Sequence, residues 1–436
     1  MSSHDTPSPG PSRTGQVFLY FAPLTLFVAL VSPVGYLIDF TTAYMLKDQL
    51  HASVSQVAVF RFLTGIPTYF AIIFGLTRDI WSPFGLRDRG YFLLFGAATA
   101  LLFVALAFTP LSYTALLAGM LLAMLFGRFL AAAHQGLLAL TGQEKQMSGR
   151  LVVVWQIMAY VPDIIGALAS GWVADNLKPR ETFLIAAGLA AALALMGLWK
   201  PAAVFRGAYE QPLARGTSLW GDIKRLVRHR AIYPAVLVNC MFQFSPGSNT
   251  PLQFYLTDKL HASREIYGAY YAVFVAAFIP MFFLYGWLCK RVPLSKLLWW
   301  GTIITIPQMI PLALIHSPLL AVVLAAPIGM MGGIAGASYY DLSIRSCPPG
   351  LQGTLMMLVA GFFQLSYRGG DWLGAKLYAL SPTHGFLYCV IATTAVYALI
   401  LPVLLLIPKG LIATRDGEAN PELEREAAEA AAEAAA

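Results

Sequence analysis

A chain of 436 residues in which 58% are hydrophobic and only 12% charged lies outside the soluble range of about 45–50% apolar and about 25% charged. Its apolar sequence is enough for about a dozen membrane helices of about 20 residues each. This excludes a soluble enzyme or a single-anchor receptor, and the net charge of +7 needs no nucleic-acid partner, because its distribution reports orientation instead.

Met1 to Gly15 is polar and rich in Pro and Ser, unlike the charged start and short apolar core of a signal peptide. Residues 1–17 therefore read as a disordered cytoplasmic tail. Apolar runs near 18–46, 53–76, 91–109, 113–139, 151–173 and 183–204 follow and form a first six-helix half, 18–204. In the linker 205–230, Leu219, Trp220, Ile223, Leu226 and Val227 share one helical face and Lys224, Arg225 and Arg228 lie elsewhere, as in a helix resting on a membrane surface. Six more runs, near 231–256, 266–289, 295–315, 318–345, 352–379 and 385–408, give a second half, 231–409. Residues 410–436 form an acidic Ala/Glu tail, of which Glu418 to Ala436 is expected to be solvated. The expected fold is an all-α polytopic membrane protein with twelve transmembrane helices arranged as two six-helix pseudo-repeats. With both termini on one side, 20 of the 29 Lys and Arg fall on that side and 5 on the other. The positive-inside rule then makes the richer side cytoplasmic, in what we expect to be a bacterial inner membrane.

The two halves repeat each other. Lys47-Asp48-Gln49-Leu50-His51-Ala52-Ser53 reappears as Thr257-Asp258-Lys259-Leu260-His261-Ala262-Ser263, an offset of 210 residues. Ile66-Pro67 and Gly75 have counterparts in Ile279-Pro280 and Gly286, and Ser32-Pro33 in Ser245-Pro246. Parallel halves of this kind place a solute site near the midplane between them.

Gly75-Leu76-Thr77-Arg78-Asp79 followed by Gly85-Leu86-Arg87-Asp88-Arg89 resembles the Gly-x-x-x-Asp loop of the major facilitator superfamily in a long-spaced form. Tyr44 to Leu50, the step from Asp79 to Gly85 with Tyr91 beyond it, Ser245-Pro246-Gly247-Ser248 and the block Asp341 to Leu355 are similar to the folate-biopterin transporter family within it. The superfamily resemblance spans the membrane region, and the narrower one rests on these blocks. It implies alternating access, with Gly75, Asp79, Gly85, Arg87 and Arg89 as a cytoplasmic gate motif, and a monomer as the working unit. Span 2 ends Ala71-Ile72-Ile73-Phe74-Gly75, without the Lys and Pro common in the family, so the solute stays open between a pterin or folate and another organic anion.

Charges inside spans cost about 2.5–3.5 kcal/mol each on insertion scales, which makes them functional candidates. Asp39 lies 11 residues before Leu50 and Arg61 lies 11 after it, so both fall at one depth. Asp371 in span 11 matches that depth, and Arg368 lies one turn away on the same face. Asp39, Arg61, Arg368 and Asp371 are expected to form a network that changes partners, with a carboxylate open to protonation. A static ion-pair network that only fixes packing, and direct binding of an anionic solute by Arg61 or Arg368, are the alternatives. Asp163, after Pro162 in span 5, is placed opposite Arg128 of span 4.

Phe242-Gln243-Phe244-Ser245-Pro246-Gly247-Ser248-Asn249 interrupts span 7, a pattern expected where backbone lines a cavity. Asn239, Gln243, Ser245, Ser248 and Asn249 are therefore candidate solute ligands, together with His134, Gln135, Tyr340 and Asp341. A kinked helix with internally satisfied side chains, and a structural histidine, are the alternatives. Four scattered cysteines read as free thiols. No metal, cofactor or catalytic residue is expected, since the chain has no phosphate-binding Gly-rich loop, zinc His pair or nucleophile turn. Two functions remain: a secondary transporter for a small organic solute, coupled to H⁺, or a non-transporting carrier that hands an apolar pigment or lipid to a partner.

Overall fold

The structure, a computed structural model, describes residues 11–33, 36–209, 219–248, 250–420 and 425. Among these every regular element is helical, because backbone groups inside a bilayer must be satisfied within their own segment. Ten stretches among the described residues are long and apolar enough to cross a membrane, and two further spans complete a twelve-helix architecture. Span 7 falls short because it stops after Ile232–Gln243 and resumes only at Thr250–Phe254. Span 11, Gln352–Ala379, has the length but carries Gln364, Arg368, Asp371 and Lys376.

Span 1 comprises Pro11–Val31 and Tyr36–Tyr44. Its start at Pro11 corrects the expectation of an unstructured tail through residue 17, since the fixed φ of proline suits a first helical position. Spans 3, 4, 5 and 6 are Asp88–Phe108, Tyr113–Glu144, Ser148–Asn176 and Pro179–Met196. Span 2 is Val54–Tyr69 with Ala71–Ile80, and span 8 is Arg264–Ala276 with Phe278–Leu288. Span 9 runs through Leu294–Thr305 into Ile306–Leu314, span 10 is Pro318–Arg345, and span 12 is Gly385–Ala398 with Ile400–Leu404.

The repeated heptapeptides fold alike. Met45–Gln49 and Tyr255–Lys259 are both widened π turns. They close through Leu50 N–H to Met45 O at 2.9 Å and Leu260 N–H to Tyr255 O at 3.2 Å. His51 and His261 then adopt positive φ, 47° and 52°, and Ser53 and Ser263 accept bonds from Gln56 N and Ile266 N to start spans 2 and 8. Ser112 and Ser317 start spans 4 and 10 in the same way. Each serine satisfies one of the orphan N–H groups of a helix start.

The halves join along spans 2, 4 and 11 on one side and spans 5, 8 and 10 on the other. Contact is closest at the end that carries loop 81–87, called here the basic end. A Cβ on Gly75 would lie 2.4 Å from the Gly353 carbonyl oxygen and 2.7 Å from Thr354 Cα, so only glycine lets spans 2 and 11 approach this far. At the same end the helix Leu219–Arg228 buries Leu226 and donates from Arg225 Nη2 to the Pro349 carbonyl at 3.0 Å. At the start of the acidic tail, Leu411, Ile412 and Asp416 are buried against the bundle, and so is Asn420, which falls in the stretch from Glu418 expected to be solvated.

Overpacking a tight contact costs about 1–3 kcal/mol. Gly75→Val should therefore lower the thermal stability of the purified protein, while Gly188→Val, whose Cβ meets nothing within 4 Å, should leave it unchanged. Equal effects of the two would show that the close approach of spans 2 and 11 contributes nothing special.

Candidate functional site

Two regions concentrate polar side chains. The first is at the basic end, where Asp79 on the last turn of span 2 reaches across to the start of span 11. Its Oδ1 accepts from Gly353 N at 3.1 Å, and Oδ2 accepts from Thr354 N and Thr354 Oγ1, both at 2.7 Å. Those donors belong to a helix N-terminus, where unpaired N–H groups and the helix dipole favour a negative charge. Arg78 bonds Asp79 at 2.8 Å and grips Asp88 through two bonds of 2.6 and 2.8 Å. It lies flat on Gly136 of span 4, where a Cβ would sit 2.6 Å from its guanidinium carbon.

Of the expected gate residues, Gly75 and Asp79 meet at this contact, but Arg87 and Arg89 do not. Arg87 donates to the Tyr209 carbonyl and lies 4.6 Å over the Tyr209 ring. Burial holds its guanidinium below the usual arginine range. Arg89 binds the carbonyls of Gly197 and Leu198 at 2.9 and 3.1 Å. Gly85 takes φ +70° with open space about it, which lets the loop turn back. The ion pairs at Asp79 and Asp88 come from Arg78, which the motif contains but which sequence reasoning left without a role. Its position on the last buried turn of span 2 was the available signal.

On the opposite side of the same end, Asp341 of span 10 accepts from Ser148 Oγ at 2.6 Å, Tyr285 Oη at 2.7 Å and Arg345 Nε at 3.0 Å. This fully buried carboxylate thus ties spans 5, 8 and 10 together, with its two oxygens already engaged. Gln143, at the end of span 4, donates to the carbonyls of Ile344 at 3.0 Å and Cys347 at 2.7 Å and accepts from Gln352 Nε2 at 3.1 Å.

The second region is a cavity toward the opposite end, walled by Asp39, Thr42, Arg61, Thr64, Met120 and Met124. Asp39 lies in the field of both Arg61 and Arg368, with no ion pair among the three within 4 Å. Asp371 departs from the expected network. Its two oxygens accept from Thr250 N and Thr250 Oγ1, each at 2.9 Å, because the break in span 7 creates a helix start that needs an acceptor at that depth. Arg128 stands midway along the 32-residue span 4, one turn beyond Met124 on the face that walls the cavity. Its Nε is buried without a hydrogen-bond partner, and Arg128 forms no ion pair among the described residues. Asp163 is half-buried in span 5 and forms no ion pair with Arg128, contrary to expectation, so each charge is left to the interior.

The neutral candidates divide. Asn239 is buried, and its amide donates to Ala235 O at 2.8 Å, Tyr339 O at 3.3 Å and Ser343 Oγ at 2.9 Å, so it fastens span 7 to span 10. Ser245 and Ser248 bond each other. His134 is buried and pairs with Thr25 Oγ1 at 2.8 Å. Gln243 and Gln135 are half-buried. Tyr340 packs 4.8 Å from Trp155 and 6.5 Å from Phe363, ring centre to ring centre. Asn249 lies outside the described residues.

Comparison with known proteins places this geometry in a family. Residues 17–367 match the family model described as Major Facilitator Superfamily. A folate-biopterin transporter of Synechocystis sp. is 25% identical over 406 residues, covering 87% of this chain and 81% of the relative. Among solved structures, a proton:xylose symporter of the same superfamily bound to 6-bromo-6-deoxy-D-glucose superposes with a TM-score of 0.68 at 13% identity, covering 96% of this chain and 99% of the other. A bacterial homologue of the iron transporter ferroportin in an outward-facing state gives 0.60 at 13% identity, with 88% and 98% covered. Both likenesses at that identity concern the fold. With the family model matching most of its length, the chain belongs to the major facilitator superfamily and is an integral membrane transporter.

Proposed function

We propose that the protein is a secondary transporter that carries a small organic anion across a bacterial inner membrane by alternating access, coupled to H⁺. The observation that carries the substrate class is Arg128, a mid-span cation whose buried Nε has no partner and which forms no ion pair among the described residues. Arginine is never deprotonated in proteins, and an uncompensated cation at this depth is costly. An anionic group on the solute offsets that cost when it binds. Trp155, Tyr340 and Phe363 offer faces to a planar ring, and the similarity to a folate-biopterin transporter of Synechocystis sp. supports a ring-bearing anion.

In this reading the basic end faces the cytoplasm, as the excess of Lys and Arg there requires, and both termini lie on that side. The Asp79 contact holds the cytoplasmic gate shut while the Asp39–Arg61 cavity opens outward. Asp39 is the coupling carboxylate, since Asp371 is occupied at Thr250 whereas Asp39 faces Arg61 and Arg368 without ion-pair contact. Protonating Asp39 loosens its hold on the two cations, and the halves then rock. One chain is the working unit.

A ligand that binds only the folded protein adds about 2.7 kcal/mol to stability at 100 times its Kd. Pterins, folates and aromatic carboxylates should raise the melting temperature of the wild-type protein, and their neutral analogues should not. Loss of a charge-assisted bond worth about 1.5–3 kcal/mol should make Arg128→Gln bind the anion at least about tenfold more weakly. Stabilisation by neutral analogues, or an unaltered Kd in the variant, would remove the basis for an anionic solute. For coupling, Asp39→Asn should abolish uptake driven by a pH gradient yet preserve solute counterflow in proteoliposomes. Loss of both activities together would mean that Asp39 serves packing or binding.

A further inference from the structure

The Asp79 contact has a partner that the repeat predicts and the repeat cannot supply. If the halves close symmetrically, the end of span 8 should present a carboxylate to the start of span 5, as the end of span 2 presents Asp79 to the start of span 11. Asp79 stands four residues after Gly75, and four residues after the equivalent Gly286 the chain reads Lys290. An exposed lysine has no acceptor to offer helix N–H groups. The start of span 5 is nevertheless occupied by a carboxylate.

That carboxylate is Asp416, from the segment beyond span 12. Asp416 Oδ1 accepts from Gly149 N at 3.0 Å, as Asp79 Oδ1 accepts from Gly353 N at 3.1 Å. Asp416 Oδ2 takes the Arg150 guanidinium, as Asp79 Oδ2 takes Thr354. Gly149 and Gly353 each follow the first residue of their helices, Ser148 and Gln352. The segment is anchored to the second half: Asp416 N donates to Cys289 O at 2.9 Å, and Arg345 Nη1 donates to Thr414 O at 2.9 Å. Among the described residues of this segment, Asp416 and the 2.6 Å bond from Gly417 N to Gln146 O clasp the first half. Asp416 is buried at 6% exposure, and burial raises its carboxyl above the usual range while Arg150 draws it down.

We propose that Asp416 is the second gate carboxylate of the transport cycle, carried by the C-terminal segment in place of the acid absent from the end of span 8. Asp416 and Asp79 then act as matching clasps of one closure, beside the Ser148–Asp341 and Gln143 bonds of the same end, and both must release for the basic end to open. The inference rests on the reading of the basic end as the gate.

Three native thiols report on it. Cys289 is buried against Gly149 beside the Asp416 clasp, Cys347 is buried beside the Asp79 clasp, and Cys389 is buried against Gly374, away from both. The full-length purified protein is treated with N-ethylmaleimide, and the rate at each cysteine is read by peptide mass spectrometry. Asp416→Asn should raise the rates at Cys289 and Cys347 together by about tenfold, a shift of roughly 1.4 kcal/mol in the balance of closed and open forms. Cys389 should stay protected, and Asp416→Glu should restore both wild-type rates in part. A rise at Cys289 alone would reveal a frayed tail with no part in the gate, and a rise at all three would reveal loss of fold; either outcome overturns the proposal. Asp79→Asn separates the two readings. If it exposes Cys347 while Asp416→Asn exposes neither, the gate stands and the second clasp falls; if neither variant exposes a thiol, the gate reading falls with it.

Discussion

A helix that begins inside a packed, water-poor interface leaves N–H groups that must find an acceptor, and the way the two halves meet at the basic end depends on how that requirement is met. At the start of span 11 the acceptor is Asp79, borne by the other half. Because its bonds are charge-assisted, this one side chain makes three strong links from one six-helix body to the other, beside those of Gln143 and Asp341. Gly75 and Gly353 are small for the same reason, since the carboxylate reaches the donors only if the backbones nearly touch. Arg78 completes the arrangement by offsetting the charge of Asp79 and Asp88, so that no bare carboxylate remains when the site dries.

The same requirement explains why several polar residues on spans do not line a solute path. Asp371 answers the helix start at Thr250, and Asn239 holds carbonyls on spans 7 and 10. Once such obligations are removed, the unanswered charges stand out: Arg128 and Asp163 near mid-depth, and Asp39 before Arg61 and Arg368. A functional reading built on what the fold leaves unsatisfied selects fewer residues than one built on polarity alone.

The architecture was legible in the sequence because it rests on patterns with long reach: apolar runs, a heptapeptide repeated at an offset of 210 residues, and a glycine and an aspartate four positions apart. The repeat folded into matching π turns and serine caps. Side-chain partners were less legible. Counting residues gave Asp371 and Arg61 a common depth, but depth says nothing about the direction a side chain faces, and the helix restart at Thr250 took the carboxylate. The gate arginines were misplaced for a related reason, since Arg87 and Arg89 face the linker and the end of span 6, elements whose packing no local motif encodes. The acidic tail was read by composition alone, which does not show that Asp416 near its start meets a helix start distant in sequence.

The two ends of the molecule satisfy their helix starts differently. Spans 2, 4, 8 and 10 begin with a serine of their own, so those starts are complete whether the halves touch or part. At the basic end the starts of spans 5 and 11 borrow their acceptors from elsewhere, and parting them strands several donors and two carboxylates at once. Water has to take their place, which makes opening at that end a wetting event as much as a mechanical one. Excluded solutes that lower water activity should therefore hold the basic end closed and leave the serine-capped end largely indifferent.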